Sequence, residues 1–197
     1  VTPPGTARTV VLVEGVSDAQ AVEAAAEGRG LDLSACRTAV VPVGGATNLP
    51  RAVEAYGPHG RKLRLAGLCD EREEPWAVQA LERGGLGREL DRAGLERLGF
   101  FVCVDDLEDE LVRALGPDAV QRVIAAQGEL GSFRTLQKQA AQRDRPVERQ
   151  LCRFFGSGSG RKTRYARLLV EALPPDALPR PLARLVDVLD GTAERPA

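Results

Sequence analysis

Hydrophobic residues fall into two regimes along this chain. In the first, short unbroken apolar runs alternate with segments of helical spacing. Val10-Val11-Leu12-Val13 is the clearest run, and four aliphatic residues without interruption read as a strand buried on both faces. It leads into Glu14 and then Gly15, which permits a tight turn. Ser17 is placed to cap an Ala-rich helix that Asp18 opens and that continues to about Gly28. Ala39–Val43 reads as a second strand, with Pro42 arguing against a central place in a sheet. Gly44-Gly45-Ala46-Thr47-Asn48 then leads to a helix over Leu49–Tyr56. A third strand covers Leu63–Cys69 and ends on Asp70, with Glu71, Glu73 and Glu74 crowded behind it. Helices follow over Trp76–Arg83 and Arg88–Leu98. A fourth strand, Phe100–Val104, runs into Asp105-Asp106-Leu107-Glu108-Asp109-Glu110 and a helix over Leu111–Leu115. Strands alternating with helices imply an α/β fold with a mostly parallel four-stranded sheet flanked by helices.

The second regime begins after Gly116-Pro117, where strand signals cease. Asp118–Gln127, Ser132–Gln142, Pro146–Phe155, Arg161–Leu173 and Leu178–Leu189 all have helical spacing, separated by Gly, Pro or Ser breaks. Gly156-Ser157-Gly158-Ser159-Gly160 reads as a flexible loop. The expected organisation is an α/β core over 1–116, a helical C-terminal extension over 117–190 packed on it, and a disordered tail over 191–197. A two-domain alternative leaves the helical part with too little core of its own.

Composition narrows the function classes. A chain of 197 residues can bury one good core, and 43% hydrophobic with 28% charged residues is ordinary for a soluble protein. No apolar run approaches the ~20 residues that span a bilayer. The opening residues lack the charged and apolar regions of a secretory leader, so a cytoplasmic location is expected, with no membrane partner. Cys36, Cys69, Cys103 and Cys152 are widely spaced and form no C-x-x-C pair, which favours reduced, buried thiols over disulfides or zinc. The single histidine, His59, lies in a turn-like Gly57-Pro58-His59-Gly60, which argues against His-based triads. The net charge of −1 marks no polyanion binder, yet residues 133–167 carry ten basic side chains against only Asp144 and Glu148. That stretch reads either as a solvated helical surface or as a track for backbone phosphates.

The candidate chemistry lies at the strand ends. Glu14 with Asp18, Asp70, and Asp106 with Glu108 follow three of the four strands. Adjacent parallel strands bring such ends together on the carboxyl edge, where open α/β folds place their ligands. Singly, each acid reads as a helix cap; jointly, they read as a cation site. If Asp106-Leu107-Glu108 remains extended, its two acids face one side. Oxygen ligands of this kind suit Mg²⁺ or Mn²⁺, and two ions would flank the attacking and leaving oxygens of a phosphodiester. Gly44-Gly45 either lets backbone amides approach a phosphate or serves a plain strand-to-helix turn.

A hydrophobic strand followed by Glu14-Gly15-x-x-Asp18, with later strands ending in acid, resembles the TOPRIM domain of topoisomerases, bacterial primases and nucleases. Asp106-Leu107-Glu108 and a lysine in a downstream helix make it similar, more narrowly, to the TOPRIM module of OLD (overcoming lysogenization defect) nucleases, from about Thr9 to Leu173. The resemblance implies a Rossmann-like TOPRIM fold and a metal-dependent nuclease acting on DNA. Glu14 and Asp18 would hold one ion, Asp70 would sit between two, and Asp106 with Glu108 would complete the second site. Glu14 and Lys162 would be catalytic, Lys162 by steadying charge on the phosphate. Arg134, Lys138, Arg161, Arg164 and the Gly44-Gly45 amides would contact the DNA backbone.

The chain also departs from that pattern. The Asp-x-Asp of TOPRIM domains reads Asp70-Glu71-Arg72 here. The residues before Asp-Leu-Glu are Phe101-Val102-Cys103, with Asp105 as the substitute acid. No G-x-x-x-x-G-K-[ST] occurs, and Gly156–Thr163 fails its glycine spacing. The ATPase of OLD proteins is therefore expected on a separately encoded partner. Tyr56 and Tyr165 read as packing residues, not as a topoisomerase nucleophile. Two other functions remain open: a non-catalytic TOPRIM module binding nucleic acid or a partner, and a metal-dependent phosphatase or phosphotransferase acting on a small phosphoester.

Overall fold

Four strands form one sheet in the computed structural model, which describes residues 5–158 and 160–192. Ser159 of the expected loop and residues 193–197 of the expected tail lie outside the described residues. β1 (Thr9–Val13), β2 (Thr38–Pro42), β3 (Arg64–Asp70) and β4 (Phe100–Cys103) run all parallel in the order β2-β1-β3-β4. β2 is thus an edge strand. Pro42 is tolerated there because its missing donor disrupts no ladder, and the outer Thr38 N–H is taken by the Leu33 carbonyl at 2.8 Å.

The apolar runs are continuous because both sheet faces are covered. Val10, Leu12, Leu65, Cys69, Phe100 and Val102 face one way, against α2 (Leu49–Tyr56), α3 (Glu74–Arg83) and α4 (Arg92–Leu98). Val11, Val13, Ala66, Leu68, Phe101 and Cys103 alternate to the other face, as a two-residue period requires. That face meets α1 (Val16–Gly28), α5 (Leu107–Leu115) and α10 (Arg180–Asp190). Gly67 lies in β3 between β1 and β4: a Cβ there would come within 2.4 Å of the Leu12 carbonyl oxygen and 2.8 Å of the Phe100 ring.

The remaining helices are α6 (Pro117–Ala126), α7 (Leu130–Gln137), α8 (Val147–Phe155) and α9 (Arg161–Glu171). They share one hydrophobic core with α1 and α5. The alanine face of α1 is what lets α9 lie along it. Phe133, Phe154, Phe155 and Tyr165 are fully buried there; Phe133 meets Phe154 edge-on, with ring centres 5.4 Å apart. Burial of each contributes about 1.5–3 kcal/mol, enough to fix the start of α9 relative to the sheet. No helix among the described residues is long and apolar enough to cross a membrane.

Several boundaries differ from the expectation. α1 begins at Val16 after an extended Gly15, and Ser17 is buried within its first turn instead of capping it. α4 begins at Arg92, capped by the Asp91 carboxylate, which accepts from the Gly94 N–H at 2.7 Å. α5 begins at Leu107, four residues earlier than expected, because Asp106 caps it by accepting from the Asp109 N–H at 2.8 Å. Asp106-Leu107-Glu108 is therefore not an extended segment. α7 ends at Gln137 rather than Gln142. All four cysteines are free, but Cys36 is exposed and Cys152 only half-buried, so the expectation of uniformly buried thiols fails for these two.

Candidate metal centre

In the order β2-β1-β3-β4 the chain leaves β1 toward one side for β2 and returns on the other side for β3. The crevice of an open parallel sheet forms at that reversal, beyond the carboxyl ends of β1 and β3. Glu14 and Asp70 stand at those two ends. One carboxylate oxygen each from Glu14, Asp70 and Glu73 lie within 4.8 Å of one another.

Backbone contacts hold Glu14 and Asp18 in place. The Glu14 carbonyl accepts from the Gly44 N–H at 2.9 Å and the Gly45 N–H at 3.2 Å. These glycines adopt φ of 78° and 108°, which side chains disfavour. Their amides are thus engaged in fixing the end of β1, which corrects the expectation that they offer donors to a phosphate. Asp18, in the first turn of α1, accepts from the Gly15 N–H at 2.7 Å. Asp70 closes β3, one strand away.

Glu73 was not singled out as a ligand by sequence. A 3₁₀ turn over Glu71–Glu73 follows Asp70 and returns the third residue to the same side. Arg92 pairs with Glu71 at 3.2 Å and with Glu74, drawing both acids away. Glu73 alone of the three is left to the cleft. The spacing from Asp70 was the available signal.

Charge within the cluster is strongly uncompensated. Burial pushes the Asp70 carboxyl up to about 8, and the nearby carboxylates of Asp18, Asp106, Glu14 and Glu73 all push the same way. Asp18 is raised chiefly by burial, against the Gly15 N–H and Lys162. Glu73 is raised by burial and then by Glu14, whose side chain lies within hydrogen-bonding reach. The second half of the site is built by two helix starts. Asp106 retains one oxygen beyond its cap. Glu108, with its side chain only 5% exposed, meets Lys162 Nζ at 3.0 Å. Neither Glu108 oxygen has a well-aligned hydrogen bond, so the contact is an ion pair. Burial carries Glu108 to about 7, with Lys162 opposing. Burial works against the charge on Lys162 too, yet Glu108, Asp18 and Asp106 hold its ammonium above the ordinary lysine range. Lys162 is the second residue of α9, directly after the glycine-rich turn.

The converging oxygens of Glu14, Asp70 and Glu73 make an all-oxygen donor set, which fits a hard divalent cation. Asp18 and Asp106 act on Asp70 through their charge without joining that converging set, and Glu108 lies beyond it, against Lys162. The raised Asp70, crowded by carboxylates on every side, is the physical sign that a cation would relieve this arrangement.

Other expected site residues are placed elsewhere. Asp105, at φ 63°, pairs with Arg149 at 3.1 Å and Arg113 at 3.8 Å, so it does not serve as the substitute acid. Arg161 pairs with Glu129 at 3.1 Å and lies 4.3 Å above the Phe154 ring; Arg164 and the Tyr165 hydroxyl also reach Glu129. Arg167 pairs with Glu27 and Glu171. Arg134 and Lys138 are exposed on and just beyond α7. Much of the basic stretch is thus matched by acids from outside it.

Residues 6–70 match a model of the TOPRIM domain of overcoming lysogenization defect protein-like sequences. The structure is similar to the C-terminal region of the Xanthomonas campestris pv. campestris OLD protein, with a TM-score of 0.72 and 26% identity over 94% of this chain and 95% of that one. It is similar in fold to the C-terminal region of the Burkholderia pseudomallei OLD protein, with a TM-score of 0.72 and 22% identity over 95% and 99% of the two chains. A comparison with curated proteins yields no match. The chain carries a TOPRIM domain of the OLD type.

Proposed function

We propose that this chain is a divalent-metal-dependent nuclease that hydrolyses phosphodiester bonds in DNA in the cytoplasm. The observation that carries the reading is the convergence of Glu14, Asp70 and Glu73 within 4.8 Å, in a cluster whose central carboxyl is pushed up to about 8. Glu14 and Asp18 would hold one Mg²⁺ or Mn²⁺ ion, Asp70 would serve both, and Asp106 with Glu108 would complete a second site. Glu73 supplies the carboxylate that the altered Asp-x-Asp segment lacks. Ions held there would supply Lewis-acid chemistry, lowering the pKa of an attacking water and offsetting charge on the leaving oxygen.

The chain's own groups prepare that chemistry. Gly44 and Gly45 fix the level of Glu14, and the Gly15 N–H orients Asp18. Lys162, kept charged at neutral pH and steered by Glu108, faces negative charge developing on the phosphate. Arg134 and Lys138 contact backbone phosphates without reading sequence. Arg161 and Arg164 contribute mainly by holding the start of α9. An ATPase domain is the expected protein partner.

Nicking of supercoiled plasmid in Mg²⁺ or Mn²⁺ tests the reading. Glu14→Gln and Asp70→Asn should each abolish nicking without loss of fold. DNA binding without cleavage would support a non-catalytic module instead, and turnover of nucleotides but never polymers would support a phosphatase.

A further inference from the structure

Three large hydrophobic side chains are exposed among the described residues: Val16 and Trp76, each 56% exposed, and Val104, 44% exposed. All three follow the strand ends that carry the acids: Val16 opens α1, Trp76 lies in the first turn of α3, and Val104 follows β4. Val16 lies between Glu14 and Asp18, Trp76 is three residues past Glu73, and Val104 is two residues before Asp106. They come from three different strand ends on the same carboxyl edge of the sheet. Packing accounts for none of them. Arg72, four residues before Trp76, is exposed and has no ion pair among the described residues, although Glu71 and Glu73 flank it in sequence.

Exposed apolar side chains on the same segments as a phosphodiester-directed metal site match one part of a nucleic acid, the faces of its bases. In an intact duplex those faces are stacked inside the helix and cannot meet a side chain. In a single strand they are open, and an aromatic ring beside a cation is the pairing that grips base and phosphate together. We infer that the substrate enters as a single-stranded or locally unpaired segment, with a base next to the scissile phosphate stacked on Trp76 and Arg72 on a flanking phosphate. This inference rests on the nuclease reading and adds the substrate class to it.

Trp76 is the sole tryptophan of the chain, so its fluorescence reports the contact directly. The test titrates a single-stranded oligothymidylate and a blunt duplex into the protein with Ca²⁺ present, following tryptophan quenching and polarisation of labelled DNA. Saturable quenching by the single strand and at least about tenfold weaker duplex binding are expected. Trp76→Ala should weaken single-strand binding about tenfold, Trp76→Phe should restore most of it, and calorimetric Ca²⁺ uptake should stay unchanged in both. Arg72→Ala should lower the salt dependence by about one phosphate contact.

Equal single-strand and duplex binding, or unaltered binding by Trp76→Ala, would overturn the inference while leaving the nuclease reading intact. The second result would show that Trp76 does not contact the bound strand. If the wild-type protein binds neither polymer, the nuclease reading itself fails and takes this inference with it.

Discussion

Replacing Asp70 by asparagine should stabilise the metal-free protein while destroying its response to metal. Asn keeps the shape of the side chain and removes its charge. Asp70 is raised from an ordinary 3.8 to about 8 by burial and by four surrounding carboxylates. A folded-state value raised above the unfolded one means that the favourable contribution is complete below 3.8 and lost as pH climbs through about 8. Fully expressed, that difference would be about 5–6 kcal/mol. Water at the mouth of the cleft screens a carboxylate that is only half-buried, which leaves about 2–3 kcal/mol. For a chain of this size that corresponds to about 5–10 °C in melting temperature. Melting followed by circular dichroism in EDTA should therefore place Asp70→Asn above wild type at about pH 9, with the gap shrinking toward about pH 5. Saturating Mg²⁺ should reverse the order, because only the wild type gains binding free energy. A variant that melts below wild type at every pH in EDTA would refute the claim that repulsion dominates this cluster.

Two further perturbations follow from the same geometry. Lys162→Ala leaves the buried Glu108 carboxylate without its ion pair, and should cost about 1–2 kcal/mol in urea unfolding at about pH 8.5, with Glu108→Gln recovering most of the loss in the double variant. No coupling between the two substitutions would count against the pair. Gly45→Ala forces a side chain into φ 108° and should cost about 1–3 kcal/mol, while lowering metal affinity by displacing Glu14. Calorimetric Mn²⁺ binding identical to wild type would show that the Gly44-Gly45 turn does not position the site.

The sheet and the acids at its ends were legible because buried parallel strands are written as continuous apolar runs that stop abruptly. Val10–Val13 into Glu14 and Leu65–Cys69 into Asp70 are visible without any partner. Helix starts were less so. Asp106 caps α5 through a single bond to Asp109, and nothing in the acid-rich run over 105–110 says which acid takes that role. Glu73 was hidden for a different reason. Its direction depends on Arg92, 18 and 21 residues from Glu74 and Glu71, removing the competing acids. In the basic stretch, sequence counts charges and not partners. Glu129, outside that stretch, gathers Arg161, Arg164 and Tyr165. Gly44-Gly45 carried the right emphasis and the wrong recipient: the amides serve the protein's own Glu14 carbonyl.

The most direct test of the whole account is a calorimetric titration of the pure protein with Mg²⁺ and with Mn²⁺ near pH 7, repeated in buffers of different ionisation heat. Uptake accompanied by proton release, absent in Asp70→Asn, is the predicted result, since carboxyls held protonated by mutual repulsion must lose their protons to bind an ion. Absence of uptake of either ion, with or without DNA present, would contradict it.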